Sequence, residues 1–265
     1  MKKLLADKTS GESFEVKVRD IVIGGGDLIF ISGPCAVEDY ENMRAIAAAL
    51  KKQGVNMLRA GAFKPRTSPY DFQGLGYEGL KILKEVGKEF DLPIVSEIMD
   101  ARDIEDSLEY IDMIQVGSRN MYNYTFLKEL GKLKVPVLLK RGMSATLMEW
   151  IYAAEYILKE GNSNVVLCER GIRTFETSTR NTLDLNSVAS IKQNYRLPIL
   201  VDPSHGTGKR ELVGTMSYAA IAAGADGLII ESHISPDNSI SDARQTISVD
   251  EVSKIIQKAK LIKQL

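Results

Sequence analysis

The sequence predicts a closed (β/α)8 barrel, the TIM-barrel architecture, preceded by a short N-terminal β-hairpin. The chain has 265 residues, which is close to the roughly 250 residues typical of this architecture. Short apolar runs alternate with longer amphipathic segments, a pattern that favours parallel strands joined by right-handed helical crossovers. This unit occurs eight times, which favours closure of the sheet into a barrel. An open eight-stranded sheet is the alternative.

The predicted elements follow from where apolar residues recur. Four of them, Ile82, Leu83, Val86 and Phe90, have the spacing of one buried helix face. The predicted strands are Leu28–Ser32, Asn56–Ala60, Pro93–Glu97, Met113–Val116, Val135–Lys140, Val165–Cys168, Pro198–Val201 and Gly227–Ile230. The predicted helices are Tyr40–Gln53, Glu78–Phe90, Ala101–Leu108, Tyr124–Leu130, Thr146–Lys159, Ser187–Tyr195, Arg210–Ala223 and Val249–Lys263.

A shorter pattern precedes the first barrel strand. Residues Phe14–Ile23 begin with alternating apolar and charged side chains and run into Gly24-Gly25-Gly26. We interpret this segment as a hairpin that closes the barrel bottom or contacts another subunit. The chain is therefore divided into an N-terminal extension, residues 1–26, and the barrel, residues 27–265.

Composition narrows the possible functions. The net charge of −1 offers no broad basic surface, so we expect neither nucleic-acid nor membrane binding. No apolar run approaches the roughly 20 residues of a membrane span, and the N-terminus has no apolar core of signal-peptide length. The two cysteines, Cys35 and Cys168, lie far apart, as is common in a reducing compartment. We therefore expect a cytoplasmic protein.

Cations concentrate directly after the predicted strands. The segment after the second strand, LRAGAFKPRTSPY, holds Arg59, Lys64 and Arg66, and no acidic residue follows before Asp71. A solvated basic loop is one interpretation. However, the carboxyl ends of barrel strands meet at one face, where active sites form. Six cations are expected at that face: Arg59, Lys64, Arg66, Arg119, Lys140 and Arg170.

Six convergent cations suit two anionic substrates, because Arg and Lys bind phosphate and carboxylate oxygens. One or two of them could instead pair with Glu97, Glu169 or Asp202. Three further arginines are expected to be rim or loop-tethering residues: Arg141, Arg173 and Arg180.

A second chemical set lies at the same strand ends. Cys35, His205, Glu231 and Asp242 offer sulfur, nitrogen and oxygen donors, which suit a divalent transition metal such as Mn²⁺, Fe²⁺, Co²⁺ or Zn²⁺. Taken singly, Cys35 could be a small buried apolar residue, and His205 or Asp242 could cap a turn. Their joint placement at one face favours a metal site.

Eight strings in this order resemble a known family of barrel enzymes. They are GPCAVE, LRAGAFKPRTSPY, SEIMD, QVGSRNM, LLKRGM, CERGIRTFE, DPSHGTG and ESHISPDNSISDARQ. The chain is thereby identified as similar to 3-deoxy-D-arabino-heptulosonate 7-phosphate (DAHP) synthase, in the branch shared with 3-deoxy-D-manno-octulosonate 8-phosphate synthase. The resemblance extends from about Asp27 to the C-terminus.

The resemblance implies a metal-dependent enzyme that condenses phosphoenolpyruvate with erythrose 4-phosphate, the first step of the shikimate pathway. It implies Cys35, His205, Glu231 and Asp242 as metal ligands, with Lys64, Glu97 and His205 at the chemistry. Phosphoenolpyruvate would be held by Arg59, Lys64, Arg119, Lys140 and Arg170. Erythrose 4-phosphate would contact Lys64, Pro65, Arg66, Thr67 and Ser118, with His205 and Asp242 also bordering the substrates.

Two other functions are alternatives. The octulosonate synthase uses a five-carbon sugar phosphate, arabinose 5-phosphate, and in it the segment after strand two reads KANRSS, whereas this chain has KPRTS. Pro65 restricts that backbone, which favours the heptulosonate product. A non-catalytic barrel that binds a phosphorylated metabolite would need neither Lys64 nor an intact metal set.

The resemblance also bears on assembly and control. Barrel-only relatives are usually tetramers, so we expect a homotetramer. With about 26 residues before the first barrel strand, an appended regulatory domain is not expected. We expect an unregulated enzyme, with control through a separate partner chain as the alternative.

Overall fold

The computed structural model describes residues 3–66 and 68–265, and it contains a closed parallel barrel. Its strands are β3 (Ile29–Gly33), β4 (Met57–Arg59), β5 (Ile94–Glu97), β6 (Met113–Val116), β7 (Val137–Lys140), β8 (Val165–Glu169), β9 (Ile199–Val201) and β10 (Gly227–His233). Each strand pairs in parallel with the next in sequence, and β10 pairs with both β9 and β3. This ring confirms the predicted barrel and excludes the open sheet.

Each predicted helix follows its strand, with a local difference in one of them, and one short helix is an addition to the predicted set. They are α1 (Tyr40–Lys52), α2 (Tyr77–Glu89), α3 (Ile104–Ser107), α4 (Tyr124–Gly131), α5 (Leu147–Lys159), α6 (Leu185–Asn194), α7 (Pro203–Thr207), α8 (Arg210–Ala222) and α9 (Val249–Lys263). The segment predicted as one helix, Ala101–Leu108, is instead a 3-10 turn followed by the single turn α3. Asp100 caps the 3-10 turn by accepting from the N–H of Arg102, which favours a tight turn at that point.

Three features near the barrel top were not predicted. The five-residue helix α7 lies in the DPSHGT segment, where Asp202 caps it and Pro203 occupies its first position. Strand β10 continues three residues beyond the predicted Ile230, and a two-residue strand, β11 (Ile247–Ser248), pairs with its end. The residues of this extension, Glu231–His233, are polar, so apolar periodicity cannot reveal it.

The predicted hairpin is present as β1 (Val16–Val18) and β2 (Ile21–Ile23), which pair antiparallel. Val16, Val18 and Ile23 are buried in one apolar cluster with residues of the barrel interior. Arg19, in the turn, bonds Asp112, which immediately precedes β6. The hairpin therefore closes the barrel at the amino ends of its strands and leaves the opposite face open.

The main apolar core lies between the barrel and its ring of helices. Trp150 and Phe126, from α5 and α4, are among its largest fully buried side chains. Across the described part of the chain, no helix combines the length and apolar character needed to cross a membrane.

Candidate active site

A strongly cationic cleft of about 210 Å³ opens at the carboxyl ends of the barrel strands. Seven of its lining side chains are Arg or Lys and three are Asp or Glu, so the wall carries excess positive charge. The lining residues are Arg59, Lys64, Pro65, Arg66, Asp71, Glu97, Gln115, Gly117, Ser118, Arg119, Lys140, Met143, Arg170, Arg180, His205 and Asp242. Such a surface attracts anions.

Three of the four proposed metal ligands come together beneath this cleft. Each of Cys35, Glu231 and Asp242 offers a donor atom, and the three atoms lie within 4.8 Å of one another. Cys35 Sγ lies 3.1 Å from Asp242 Oδ2 and 3.0 Å from Lys64 Nζ. Asp242 has a φ of +54°, a left-handed conformation that Asp tolerates better than most residues.

The fourth, His205, stands beside this group with its Nε2 atom 3.5 Å from Glu231 Oε1. Its Nδ1 lies 2.7 Å from Asp202 Oδ2, and Asp202 Oδ1 accepts the backbone N–H of His205 at 3.0 Å. Burial lowers the pKa of His205, which favours a neutral ring at neutral pH. A carboxylate on Nδ1 then assigns the proton to that nitrogen and leaves the lone pair of Nε2 free to bind a metal.

Buried charge shapes the carboxylates and the thiol. Burial disfavours ionised Glu231, but His205, which is protonated in the acidic range where Glu231 titrates, together with Arg59 and Lys64, outweighs burial and lowers the Glu231 pKa to about 2. Arg59 Nη1 donates to Glu231 Oε1 at 3.0 Å. Burial, reinforced by Glu231, raises the pKa of Cys35 to about 12, so the thiol keeps its proton in the metal-free chain.

These donors fit a divalent transition metal. A thiol, two carboxylates and a free imidazole nitrogen form a mixed donor set, and a metal ion would replace the thiol proton. The carboxylate that holds His205 is the outer partner common to metal-binding histidines.

Two buried arginines, which look alike in sequence, have opposite surroundings. Arg141 donates to Glu169 at 2.9 Å and to Asp184 at 2.8 Å, so it tethers loops, as predicted. Arg170 is only 4% exposed. Within the described residues, its guanidinium has no carboxylate partner and one weak bond, at 3.5 Å, to the Gly171 carbonyl. Because a buried unpaired charge is costly, Arg170 points to an anionic ligand in the cleft.

The other predicted cations differ in their pairing. Lys140 Nζ lies 2.6 Å from Asp202 Oδ2, so this lysine forms the structural ion pair with Asp202 that the sequence left as an alternative. Arg66 donates to Ser241 Oγ at 2.6 Å and to the Phe72 carbonyl at 3.1 Å. Arg119 is exposed at the cleft wall.

The structure thus brings the predicted residues together, apart from one position. All predicted substrate and catalytic residues within the described chain line the cleft, and Cys35 and Glu231 lie directly below it. Thr67 lies outside the described residues. Arg180, expected at the rim, lines the cleft and donates to Gln245 Oε1 at 2.9 Å. Arg173 is exposed.

Sequence reasoning missed three residues that hold these groups. From sequence, Asp202 is expected only as an ion-pair partner, although it follows a strand and lies three residues before His205. Gln245 donates to Glu231 Oε2 while accepting from Arg180. Ser241 contacts Cys35 and Arg66. The last two flank Asp242 in a loop without apolar periodicity, so no local signal marks them.

Comparison with known proteins gives a consistent result. The sequence profile of the DAHP synthetase I family matches residues 7–264. Phospho-2-dehydro-3-deoxyheptonate aldolase of Thermotoga maritima is 45% identical over 258 residues, covering 97% of this chain and 76% of that protein. 2-Dehydro-3-deoxyphosphooctonate aldolase of Syntrophotalea carbinolica is 30% identical over 261 residues, covering 91% of this chain and 93% of that protein.

Solved structures are similar along the whole fold. The crystal structure of the Thermotoga maritima DAHP synthase superimposes with a TM-score of 0.96 at 43% identity, covering 100% of this chain and 78% of that one. A truncated form of 3-deoxy-D-arabino-heptulosonate 7-phosphate synthase from the same organism gives a TM-score of 0.91 at 41% identity, covering 98% and 96%.

Fold and site together define a barrel enzyme that handles anionic substrates. The chain belongs to the DAHP synthetase I family. This membership confirms the predicted family and its predicted reaction, the condensation of phosphoenolpyruvate with erythrose 4-phosphate. Enzymes of this family are generally metal-dependent, as the donor set also indicates.

Proposed function

We propose that the cationic cleft is the active site in which this chain condenses phosphoenolpyruvate with erythrose 4-phosphate. One observation carries the assignment: Lys64 Nζ lies 3.0 Å from Cys35 Sγ at the meeting point of the cleft and the donor set. A proton donor and the candidate metal ligands therefore face the same small volume, where the new bond would form.

Phosphoenolpyruvate is assigned to the side of the cleft that holds Arg170 and Lys140. The unpaired guanidinium of Arg170 supports a phosphate or carboxylate there, with Arg59 and Arg119 as further partners. Arg59 is buried, and its Nε has no partner among the described residues, which leaves that N–H for a ligand.

The sugar phosphate is assigned to the side that holds Arg66. Pro65 and Ser118 also line this wall, and Thr67 is included because of the family resemblance. Arg66 is held by a carbonyl and a hydroxyl and has no ion pair in the described chain, so its charge is available to a phosphate.

The proposed reaction joins C3 of phosphoenolpyruvate to the aldehyde carbon of the sugar. A bound metal would act as a Lewis acid toward that aldehyde. Lys64 donates a proton to the emerging alkoxide, and a water guided by Glu97 and His205 adds to C2 as Glu97 takes one of its protons. The C2–O bond to phosphate then breaks, and the new C2 hydroxyl gives its proton to the departing phosphate and becomes the keto group. Inorganic phosphate leaves. Gln115 Nε2 donates to Glu97 Oε2 at 3.0 Å and so orients that carboxylate.

Finer properties are part of the same proposal. The metal is Mn²⁺, Fe²⁺, Co²⁺ or Zn²⁺, held by Cys35, His205, Glu231 and Asp242. The assembly is a homotetramer, and the enzyme acts in the cytoplasm, where a thiol ligand stays reduced. Regulation by a separate chain is the alternative to an unregulated enzyme.

An assay of sugar choice and metal need tests the proposal. Chelator-treated protein is incubated with phosphoenolpyruvate and either erythrose 4-phosphate or arabinose 5-phosphate, with or without Mn²⁺, while the ultraviolet absorbance of phosphoenolpyruvate is followed. We expect consumption with erythrose 4-phosphate and Mn²⁺ together. Equal or faster consumption with arabinose 5-phosphate would overturn the sugar assignment, and full activity in excess chelator would overturn the metal.

A matched pair of substitutions tests the anion role of Arg170. Arg170→Met is expected to raise the KM for phosphoenolpyruvate about 10- to 100-fold, since a hydrogen bond to a charged group contributes roughly 1.5–3 kcal/mol. Its free energy of unfolding should stay equal or rise, because an unpaired buried charge disappears. Arg141→Met should show the opposite pattern, with little change in that KM. It should destabilise the protein by about 3–5 kcal/mol, because it leaves two carboxylates without their cation.

Steady-state kinetics and urea unfolding measure both effects. An Arg170→Met enzyme with an unchanged KM and reduced stability would show that Arg170 is structural.

A further inference from the structure

The loop between β10 and β11 contains a serine that contacts both halves of the active site. Ser241 is only 7% exposed. Its Oγ lies 2.6 Å from Arg66 Nη2 and 3.2 Å from Cys35 Sγ. The Ser241 hydroxyl therefore contacts both Arg66, the cation assigned to the sugar phosphate, and Cys35, a ligand assigned to the metal.

The direction of these bonds follows from the donors available. A guanidinium only donates, so Ser241 Oγ accepts from Arg66 and keeps its own hydrogen to give. The thiol of Cys35 has one hydrogen, and Asp242 Oδ2, a carboxylate oxygen 3.1 Å away, is the stronger acceptor for it. Cys35 Sγ also lies within donating distance of Ser241 Oγ, but when its one hydrogen is given to Asp242, the Ser241 hydrogen is the one left for this contact. In either direction the chain of contacts runs from Arg66 through Ser241 to Cys35.

Such a chain fixes the place of each group it joins. The charge of Arg66 polarises the Ser241 hydroxyl, and that hydroxyl packs directly against Cys35 Sγ in a buried loop. Ser241 therefore limits where the Cys35 side chain can lie relative to the other donors. Conversely, a fixed Ser241 holds the Arg66 fork in one orientation, because Nη2 is engaged while Nε is bound to the Phe72 carbonyl.

We propose that Ser241 is a positioning residue that couples the metal ligand Cys35 to the sugar-phosphate arginine Arg66. This inference rests on the proposed function, which assigns those two roles. Ser241 touches neither substrate in this scheme. It holds the Cys35 side chain in place toward a metal and orients Arg66 toward a phosphate.

Cobalt binding to the chelator-treated protein supplies a readout that needs no turnover. Co²⁺ is titrated while the thiolate-to-cobalt charge-transfer band is followed. Ser241→Ala is expected to weaken Co²⁺ binding about 10- to 100-fold, the usual effect of losing an outer partner of a metal ligand. Ser241→Thr keeps the hydroxyl and should bind Co²⁺ nearly as the wild type does. Ser253→Ala, on α9 and outside the cleft lining, is the matched control and should leave Co²⁺ affinity unchanged.

A double-mutant cycle separates coupling from a general structural role. If Ser241 acts through Arg66, then Ser241→Ala should cost much less Co²⁺ affinity in an Arg66→Met background than in the wild type. In steady-state kinetics, Ser241→Ala should raise the KM for erythrose 4-phosphate about tenfold, the loss of roughly one charge-assisted bond, while the KM for phosphoenolpyruvate stays unchanged.

The outcomes distinguish this inference from the proposed function. Equal Co²⁺ affinity of Ser241→Ala and wild type, or additive effects with Arg66→Met, would overturn the coupling. A rise in both KM values would also overturn it, because that indicates general damage. If the wild type shows no condensation while the cobalt cycle is non-additive, the proposed function fails and the link between Arg66 and Cys35 stands.

Discussion

Replacing Asp202 with asparagine is expected to lower kcat/KM by about 10³- to 10⁴-fold and to destabilise the protein. Asp202 is 1% exposed and bonds His205 Nδ1 at 2.7 Å and Lys140 Nζ at 2.6 Å. Both partners donate to the same oxygen, Oδ2, and a neutral amide accepts far more weakly from two donors. Asparagine then no longer fixes the proton of His205 on Nδ1. In other enzymes that orient a histidine with a carboxylate, this change lowers the catalytic rate by a similar factor.

The stability effect has a definite pH dependence. Breaking a buried ion pair costs about 3–5 kcal/mol, here because Lys140 is left without its carboxylate. Burial disfavours ionised Asp202, but His205 and Lys140 outweigh it and hold its pKa well below the usual value. Because the pKa of Asp202 is lower in the folded protein, ionised Asp202 stabilises the fold fully at pH values above its unfolded-state pKa, roughly 3.9. This contribution to the free energy of unfolding disappears as the pH falls toward the folded-state pKa. The difference in free energy of unfolding between the wild type and Asp202→Asn should therefore be complete at pH 7 and should decrease below about pH 4.

Urea unfolding across that pH range, with kinetics at neutral pH, measures both effects. Asp237→Asn is the matched control, since Asp237 pairs with Arg210 at 2.8 Å but its side chain is 86% exposed. An exposed pair is worth about 0–1 kcal/mol, so this control should be nearly silent. If Asp202→Asn matched the control in stability and activity, the role of Asp202 as a shared anchor would be wrong.

Replacing Gly117 with alanine is expected to lower kcat by on the order of 100-fold with little loss of stability. A Cβ at Gly117 would lie 2.0 Å from Glu97 Oε1 and 2.7 Å from its Cδ, so the carboxylate must move. A shift of about 1 Å in a positioned group can cost 100-fold in rate. The backbone itself accepts alanine, because Gly117 has a φ of −68°.

A second glycine provides the control for this prediction. Gly214 lies in α8, where an added Cβ meets only Tyr218 Oη, at 3.8 Å. Gly214→Ala should leave kcat unchanged and stabilise the helix by about 0.5–1 kcal/mol. Glu97→Gln combined with Gly117→Ala should be little worse than Glu97→Gln alone. Additive losses in kcat would show that Gly117 acts through another group.

The barrel and most of the cleft could be predicted because their signals are local. Apolar runs alternate with amphipathic helices, and in a parallel barrel every strand ends at the same face. That rule alone brings Cys35 and Glu231, which lie 196 positions apart in the printed sequence, to one site. The order of the motifs then indicated the family. The short helix α7 and the polar end of β10 escaped prediction, because neither has apolar periodicity.

Residue order was therefore sufficient for the architecture, the donor set and the cations at the barrel top. Which cation is free and which is paired was decided only by tertiary structure. Arg141 and Arg170 follow neighbouring strands in similar motifs, yet Arg141 is bound to two carboxylates, whereas Arg170 faces the cleft with no carboxylate partner in the described part of the chain. Asp202, Ser241 and Gln245 gain their roles in the same way. The physical reason is that a hydrogen bond or ion pair depends on which loops meet in space, and no periodicity along the chain records that meeting.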